Sequence, residues 1–400
     1  MNRIKVGSDF SGVGAFDQAL IRLGIDYETV FSCDMDKYAR QTYIHNYGEP
    51  KYYPKNVYDR EIPKEPLTIF MTSPPCQSFS LAGKRKGKDS ENGILFFNSH
   101  EFIQQNQPRY FIFENVKGLL SDDNGKTFSE WCNMLGGKSI NGMPVLFPYN
   151  NSVSYHIYHK VLNSKNYGVP QNRERVFIIG IRDDSDNNFT WPKEIPLEKR
   201  LKDVLEDEVD DKYFLSDKML KFVLNTDFQE AKPIDINRNH APCIKVGGDV
   251  PCFDILKIKS ATKKGYETAK EGDSINFSVP NSETRRGRVG KGVAQTLDTQ
   301  CNQAVIGAMR GRYKDDGSTE QQIELNNKDV TNTITSVQKD NLVITNKIRR
   351  LTPRECFRLQ DFPDSFTWPV SDSQAYKQAG NSITVAVLYN IVKKLRTNNS

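Results

Sequence analysis

A doubly wound, Rossmann-like α/β domain with a smaller, irregular, mainly β domain is the fold class this sequence predicts, on three observations. At the N-terminus a strand runs through a glycine turn into an amphipathic helix. Later apolar segments stop on a carboxylate or a thiol, first at Asp34, then Cys76, then Glu114. From about Asp184 to Lys347 the texture turns charged and loop-rich, and helical patterning then returns. The stretch 185–347 is therefore read as a second domain, set between 1–184 and 348–400.

With 400 residues the chain can bury a large core in one large or two medium domains. A content of 37% hydrophobic and 26% charged residues belongs to a soluble globular protein. No apolar run reaches membrane-spanning length, and the start goes straight into a strand without a signal peptide, so no membrane-spanning helix is expected and the cytoplasm is the expected compartment. Seven cysteines, scattered singly and without paired metal-ligand spacing, predict reduced thiols with neither a disulfide framework nor a metal site. A net charge of +5 is mild, so a nucleic-acid surface has to come from local clustering.

In chain order, a strand from about Lys5 to Asp9 enters Phe10-Ser11-Gly12-Val13-Gly14, and a helix follows from about Ala15 to Leu23. Glycines let the backbone approach a ligand, and the helix N-terminus offers free amide donors to a phosphate or carboxylate. The strand Tyr27 to Cys33 ends on Asp34, placed to accept hydrogen bonds from both ribose hydroxyls, while Asp36 caps the next helix. Leu67 to Met71 reads as a buried strand that stops at Thr72-Ser73-Pro74-Pro75-Cys76. Two prolines cannot continue a sheet, so they present Cys76 on a stiff support at the strand's carboxyl edge. Lys84, Arg85, Lys86 and Lys88 follow closely, and a positive surround favours the nucleophilic thiolate.

A helix from about Gly93 to Gln105 precedes the strand Arg109 to Phe113, which ends on Glu114-Asn115-Val116. The segment 124–152, rich in Gly, Asn, Ser and Pro, reads as a surface excursion. Strand patterning returns from Tyr155 to Leu162, and the segment Tyr167 to Arg175 runs into the strand Val176 to Ile181. Arg173 and Arg175, two apart in extended chain, are expected on one face. In the inserted domain Arg285, Arg286, Arg288 and Lys291, interleaved with glycines, suit phosphate contact. Two segments there echo each other as strand, polar turn and strand: Gln295 to Ile306 and Asn332 to Ile344. Thr352 is expected to cap a helix that Pro353 starts and that runs to about Gln360. A Gly380-Asn381-Ser382 turn then precedes a last helix from Ile383 to about Leu395.

These motifs, Pro75-Cys76-Gln77, Glu114-Asn115-Val116 and Gln171-Asn172-Arg173-Glu174-Arg175 above all, resemble the DNA cytosine-5 methyltransferases of bacterial or phage restriction-modification type. The resemblance covers Lys5 to Asp184 and Arg349 to Leu395. It implies a methyl transfer from S-adenosylmethionine, leaving S-adenosylhomocysteine and needing no metal. Phe10, Gly12, Gly14, Asp34, Met35, Asn56, Pro75, Asn381 and Ser382 would line the cofactor pocket. Asn56 stands where the family has an acidic residue that contacts the adenine amine. Cys76 would attack carbon 6 of a flipped-out cytosine, Glu114 would hold ring nitrogen 3 and the amine, and of Arg173 and Arg175 one would contact the base while the other supports loop and phosphate.

Ser80, Lys84, Arg85 and Arg288 are expected to meet DNA in general. Thr296-Leu297 with Gln300, Asn302 and Gln303 is expected to read sequence, with Thr333 auxiliary. The implied partners are double-stranded DNA, bound by a monomer, and a cognate restriction endonuclease; no membrane is involved. A transfer-RNA methyltransferase of the same architecture and a non-catalytic DNA-binding relative are the alternatives, opposed by the long middle domain and by the intact Cys76, Glu114, Arg173 and Arg175 set.

Overall fold

In the computed structural model the described residues are 3–75, 91–213, 256–270, 272–279, 282–300, 302–313, 319–324 and 347–395. They form two compact units, Met1–Glu198 with Phe357–Ser400, and Lys199–Cys356.

The first unit is built on one sheet of eight strands. These are β1 (Ile4–Asp9), β2 (Tyr27–Cys33), β3 (Ile69–Thr72), β4 (Tyr110–Val116), β5 (Ser139–Ile140), β6 (Met143–Pro144), β7 (His156–Asn163) and β8 (Glu174–Ile181), in the order β2-β1-β3-β4-β8-β7-β5-β6. The first four run parallel, whereas β8 is antiparallel to both β4 and β7. Every residue of β3 is buried, which is why that strand reads as an uninterrupted apolar run and not as an alternation. Four helices are interspersed: α1 (Ala15–Arg22), α2 (Lys37–Tyr47), α3 (Glu91–Asn106) and α4 (Lys126–Leu135). Aromatic side chains from strands and helices fill the core: the Phe70 ring stacks on Phe102 at 4.1 Å, and Phe96 on Trp131 at 4.0 Å.

Pairing register sets the site. Asp9 lies opposite Cys33 on one side and Thr72 on the other, and Thr72 lies opposite Phe113. The carboxyl ends of β1, β2, β3 and β4 therefore fall in one row, the edge at which open α/β sheets bind ligands. One boundary differs from expectation: β4 does not stop at Phe113. Its ladder with β8 carries it on to Val116, so Glu114 sits within the strand, opposite Phe177.

The second unit holds the hairpin β9 (Leu256–Lys259) and β10 (Tyr266–Ala269). It also holds a sheet of β11 (Ser274–Asn276), β12 (Val289–Gly290), β13 (Gln303–Tyr313), β14 (Thr319–Glu324) and β15 (Lys347–Arg350). β15 pairs with β13, which places Lys347–Arg350 in this unit's sheet. The cap expected at Thr352 is present: Glu355 N donates to Thr352 Oγ1 at 3.2 Å and Thr352 N to Glu355 Oε2 at 2.8 Å. Arg349 clasps the same carboxylate at 2.8 and 2.7 Å. Among the described residues no helix is long and apolar enough to cross a membrane.

Asp17 of α1 is buried, and it accepts hydrogen bonds from Tyr43 Oη at 2.8 Å and Thr29 Oγ1 at 3.5 Å. Burial outweighs these bonds and pushes its pKa up to about 6. A carboxyl whose pKa rises on folding stabilises the fold fully below its unfolded pKa, and that stability is lost as pH rises through about 6. Asp17→Asn is therefore expected to flatten the decline in melting temperature between about pH 4 and about pH 6.5. Identical slopes for variant and parent would show that Asp17 does not titrate there.

Candidate active site

At the end of β1 the chain turns through three left-handed residues, Phe10 at φ 56°, Gly12 at 55° and Gly14 at 85°. A Cβ on Gly14 would stand 2.2 Å from the Tyr47 ring, so only glycine fits there. A Cβ on Gly12 would meet nothing within 4 Å, which leaves open space over the turn. Asp34 secures this turn from the end of β2, accepting the N–H groups of Gly12 and Asp36, each at 2.8 Å. Burial raises its pKa, and those two amides pull the other way. Its carboxylate keeps acceptor capacity beyond these bonds.

Met35, next in the chain, is 84% exposed. Asn56 is exposed too, and its side-chain oxygen already takes the Tyr58 N–H at 3.1 Å. A left-handed glycine turn under open space, a carboxylate at the adjoining strand end and an exposed thioether together fit a nucleoside-bearing cofactor. The Gly380-Asn381-Ser382 turn takes a different form from the one expected, because the helix Asp372–Asn381 continues through Asn381. Asn381 is exposed, whereas Ser382 is buried and its hydroxyl donates to Ile383 O at 3.1 Å.

Three strands over lies a second cluster. Cys76, Ser80, Lys84 and Arg85 fall outside the described residues, and the chain leading to them is described as far as an exposed Pro75. Asn115 ties that approach to β4, donating to Pro74 O at 3.4 Å and accepting the Val116 N–H at 2.7 Å. Glu114, one residue earlier, is buried with its Oε1 3.1 Å from Arg175 Nε. Burial pushes the Glu114 carboxyl up, while Arg175 and Arg173 pull it down.

The two arginines do not share a task. Arg175 is only partly buried and faces Glu114, but Arg173 is buried and donates to the carbonyls of Gly380 at 3.0 Å and Ser382 at 2.8 Å. Of the two roles expected for the pair, Arg173 is placed as a support: it ties the start of β8 to the segment Gly380–Ser382. Gln171, also buried, makes a parallel tie to Leu359 O at 2.5 Å.

The expected DNA contacts of the second unit need larger corrections. Arg288 is buried, and its guanidinium donates to the carbonyls of Asn276, Ser278 and Val279 at 3.1, 3.2 and 2.7 Å, so these donors are engaged within the unit. Leu297 is 2% exposed and belongs to the core. Gln303 is buried and staples its own loop, donating to Gln295 O at 2.9 Å and Thr296 O at 3.1 Å and accepting Gln295 N–H at 2.9 Å. Asn302 turns inward to Asp298 and Gln300, each at 3.2 Å. Of the five residues expected to read sequence, Gln300 is exposed and Thr296 half-buried. Thr333 and the second echo lie outside the described residues.

Gln303→Ala is accordingly expected to lower stability by about 1–3 kcal/mol, the cost of stranding buried partners. It should leave the methylated context unchanged. An unaltered melting temperature together with a changed context would make Gln303 a reader after all.

Similarity to known proteins agrees with this geometry. The family model described as C-5 cytosine-specific DNA methylase matches residues 4–397. The orphan methyltransferase M.SPRI of Bacillus phage SPR is 33% identical over 464 residues, covering 99% of this chain and 98% of that protein. The type II methyltransferase M.HpaII of Haemophilus parainfluenzae is 31% identical over 393 residues, covering 96% and 87%. Solved structures of the Entamoeba histolytica methyltransferase EhMeth (TM-score 0.56, 16% identity, 98% of each chain) and of S. pombe Dnmt2 (TM-score 0.54, 18% identity, 98% and 97%) share the fold.

Proposed function

The chain belongs to the C-5 cytosine-specific DNA methylase family and is a DNA cytosine-5 methyltransferase; from that premise we propose how its residues divide the work. The target base leaves the stack, because carbon 6 is shielded inside a duplex. Carbon 5 of cytosine is a poor nucleophile until carbon 6 has been attacked, and Cys76 makes that attack as a thiolate. Glu114 receives the pyrimidine edge. Burial raises its pKa, which favours the carboxyl sharing a proton with ring nitrogen 3 as charge develops there, while its other oxygen accepts the amine. Arg175 fixes the orientation of Glu114, and Arg173 holds both through the C-terminal segment.

S-adenosylmethionine would supply the methyl group to carbon 5, and loss of the carbon-5 proton would then expel Cys76 as thiolate. Phe10, Gly12 and Gly14 would cradle the cofactor, Asp34 would take the ribose hydroxyls, Met35 and Asn56 would border the adenine, and Asn381 would close the pocket. The single observation that carries this reading is the pairing of buried Glu114 with half-buried Arg175, one residue from the Asn115 bond that anchors the approach to Cys76.

The unit Lys199–Cys356 serves in this proposal as the target-recognition domain, with Gln300 the reader that the exposed turn leaves available. The protein acts as a cytoplasmic monomer on double-stranded DNA. A companion endonuclease is part of the proposal because relatives carry type II names, although other relatives carry orphan names. Bisulfite sequencing of DNA and transfer RNA from cells expressing the protein tests the substrate. Protected cytosines in one fixed DNA context are expected; protection confined to transfer RNA overturns it.

A further inference from the structure

From Gly48 to Thr68 the chain runs between α2 and β3 without regular secondary structure, yet it carries Asn56, which the proposed function sets beside the adenine. A stretch this long needs partners for its backbone groups if it is to hold one shape. Two arginines that sequence reasoning had not singled out supply them. Arg40 of α2 donates to Tyr53 O at 2.8 Å and Pro54 O at 3.0 Å, reaches Asp34 O at 3.4 Å, and lies 3.7 Å over the Tyr53 ring. One guanidinium thus joins the strand end that bears Asp34 to the segment that bears Asn56.

Arg60 works from the other side. Its Nε lies 2.8 Å from Asp9 Oδ1, both side chains are almost fully buried, and Asp9 immediately precedes the glycine turn at Phe10. Arg60 also donates to Asn98 Oδ1 at 2.9 Å, and Asn98 in turn donates to Val57 O at 3.3 Å. The guanidinium rests 4.4 Å over the Phe102 ring, a seat that a lysine would fill poorly. Tyr52 closes the segment on itself by accepting Glu61 N–H at 2.8 Å.

We propose that Arg40 and Arg60 are positioning residues that lock the glycine turn, the end of β2 and the 52–61 segment into one frame, so that the cofactor pocket is preformed. Arg60 is too deeply buried to meet a ligand, and Arg40 spends its donors on backbone carbonyls. Both act through the loop. A pocket ordered in advance spares the ligand the entropy of ordering it, so loosening the frame weakens binding without touching the chemistry.

The proposal rests on the cofactor reading of this pocket, and the experiment separates the two. Calorimetric binding of S-adenosylhomocysteine and hydrogen exchange of the ligand-free protein are measured for Arg40→Ala, Arg40→Lys, Arg60→Lys and Asp34→Ala. Arg40→Ala is expected to weaken binding roughly 10- to 100-fold, the loss that follows from removing hydrogen bonds to a charged donor. It should also speed exchange of amides in 52–61 while those of β4 stay protected, and raise KM for S-adenosylmethionine more than it lowers kcat. Arg40→Lys recovers part of the affinity, because an ammonium lacks the planar fork that spans two carbonyls. Arg60→Lys speeds exchange near Val57 selectively. Parental affinity and exchange in Arg40→Ala, with binding lost in Asp34→Ala, overturn the positioning role alone. Parental affinity in Asp34→Ala overturns the pocket and the proposal together.

Discussion

Cys76→Ser is expected to reduce methyl transfer by roughly 10⁴-fold or more, the scale seen when a nucleophile is removed from a covalent catalyst. An exocyclic amine could accept a methyl directly, but carbon 5 of the cytosine ring cannot. The reaction therefore begins with a bond from sulfur to carbon 6, and a serine hydroxyl at neutral pH is almost entirely protonated, whereas a thiol in basic surroundings ionises. DNA carrying 5-fluorocytosine in the recognition site should become irreversibly attached through Cys76, because fluorine does not leave as a proton does. Substantial turnover by the serine variant, or an adduct mapped to another residue, would remove Cys76 from this role.

The next largest effect is expected at Glu114. Glutamine in its place keeps a neutral side chain with a donor and an acceptor in the same plane, so it can imitate the ground-state contacts of a protonated carboxyl. It cannot give a proton to ring nitrogen 3 as charge develops there. Glu114→Gln should consequently lower kcat by about 10²- to 10⁴-fold, the usual contribution of a positioned proton donor. Affinity for S-adenosylhomocysteine should be unchanged, since the carboxylate proposed for the cofactor pocket is Asp34. Calorimetric titration that finds weakened cofactor binding together with an intact rate would reverse the assignment. Arg175→Ala should follow the same pattern more mildly: it leaves a buried carboxyl without its closest cation.

Much of the catalytic unit was legible because its signals are local. An apolar run that halts at Pro74-Pro75 has to end a strand there, and Asp36 beside a helical pattern has to cap it, as its bonds to Tyr38 N and Ala39 N bear out at 2.9 and 3.2 Å. Strand ends at Asp34 and Cys33 were readable for the same reason. Partnership across long stretches of chain was not. Arg173 and Arg175 look equivalent in extended sequence, yet Arg173 finds its partner 207 residues away at Gly380 and becomes buried, while Arg175 stays beside Glu114. Nothing local to Asp9 or Arg60, 51 residues apart, announces a buried ion pair.

The inserted unit shows the limit most sharply. Arg288 has the side chain of a phosphate contact and Gln303 that of a DNA reader, and the sequence suggested those uses. Burial decided otherwise: a guanidinium enclosed by three carbonyls and an amide closed on its own loop have already exchanged water for protein partners, and exposing them to a groove would cost those bonds. The sequence by itself determined the order of strands and turns, the chemical identity of Cys76, Glu114 and Asp34, and the place of Asp34 at the end of β2, because hydrophobic period, proline and glycine act within a few residues. Only the tertiary structure decided which arginines are solvated and which are spent, because that depends on the carbonyls and carboxylates that distant segments bring to them.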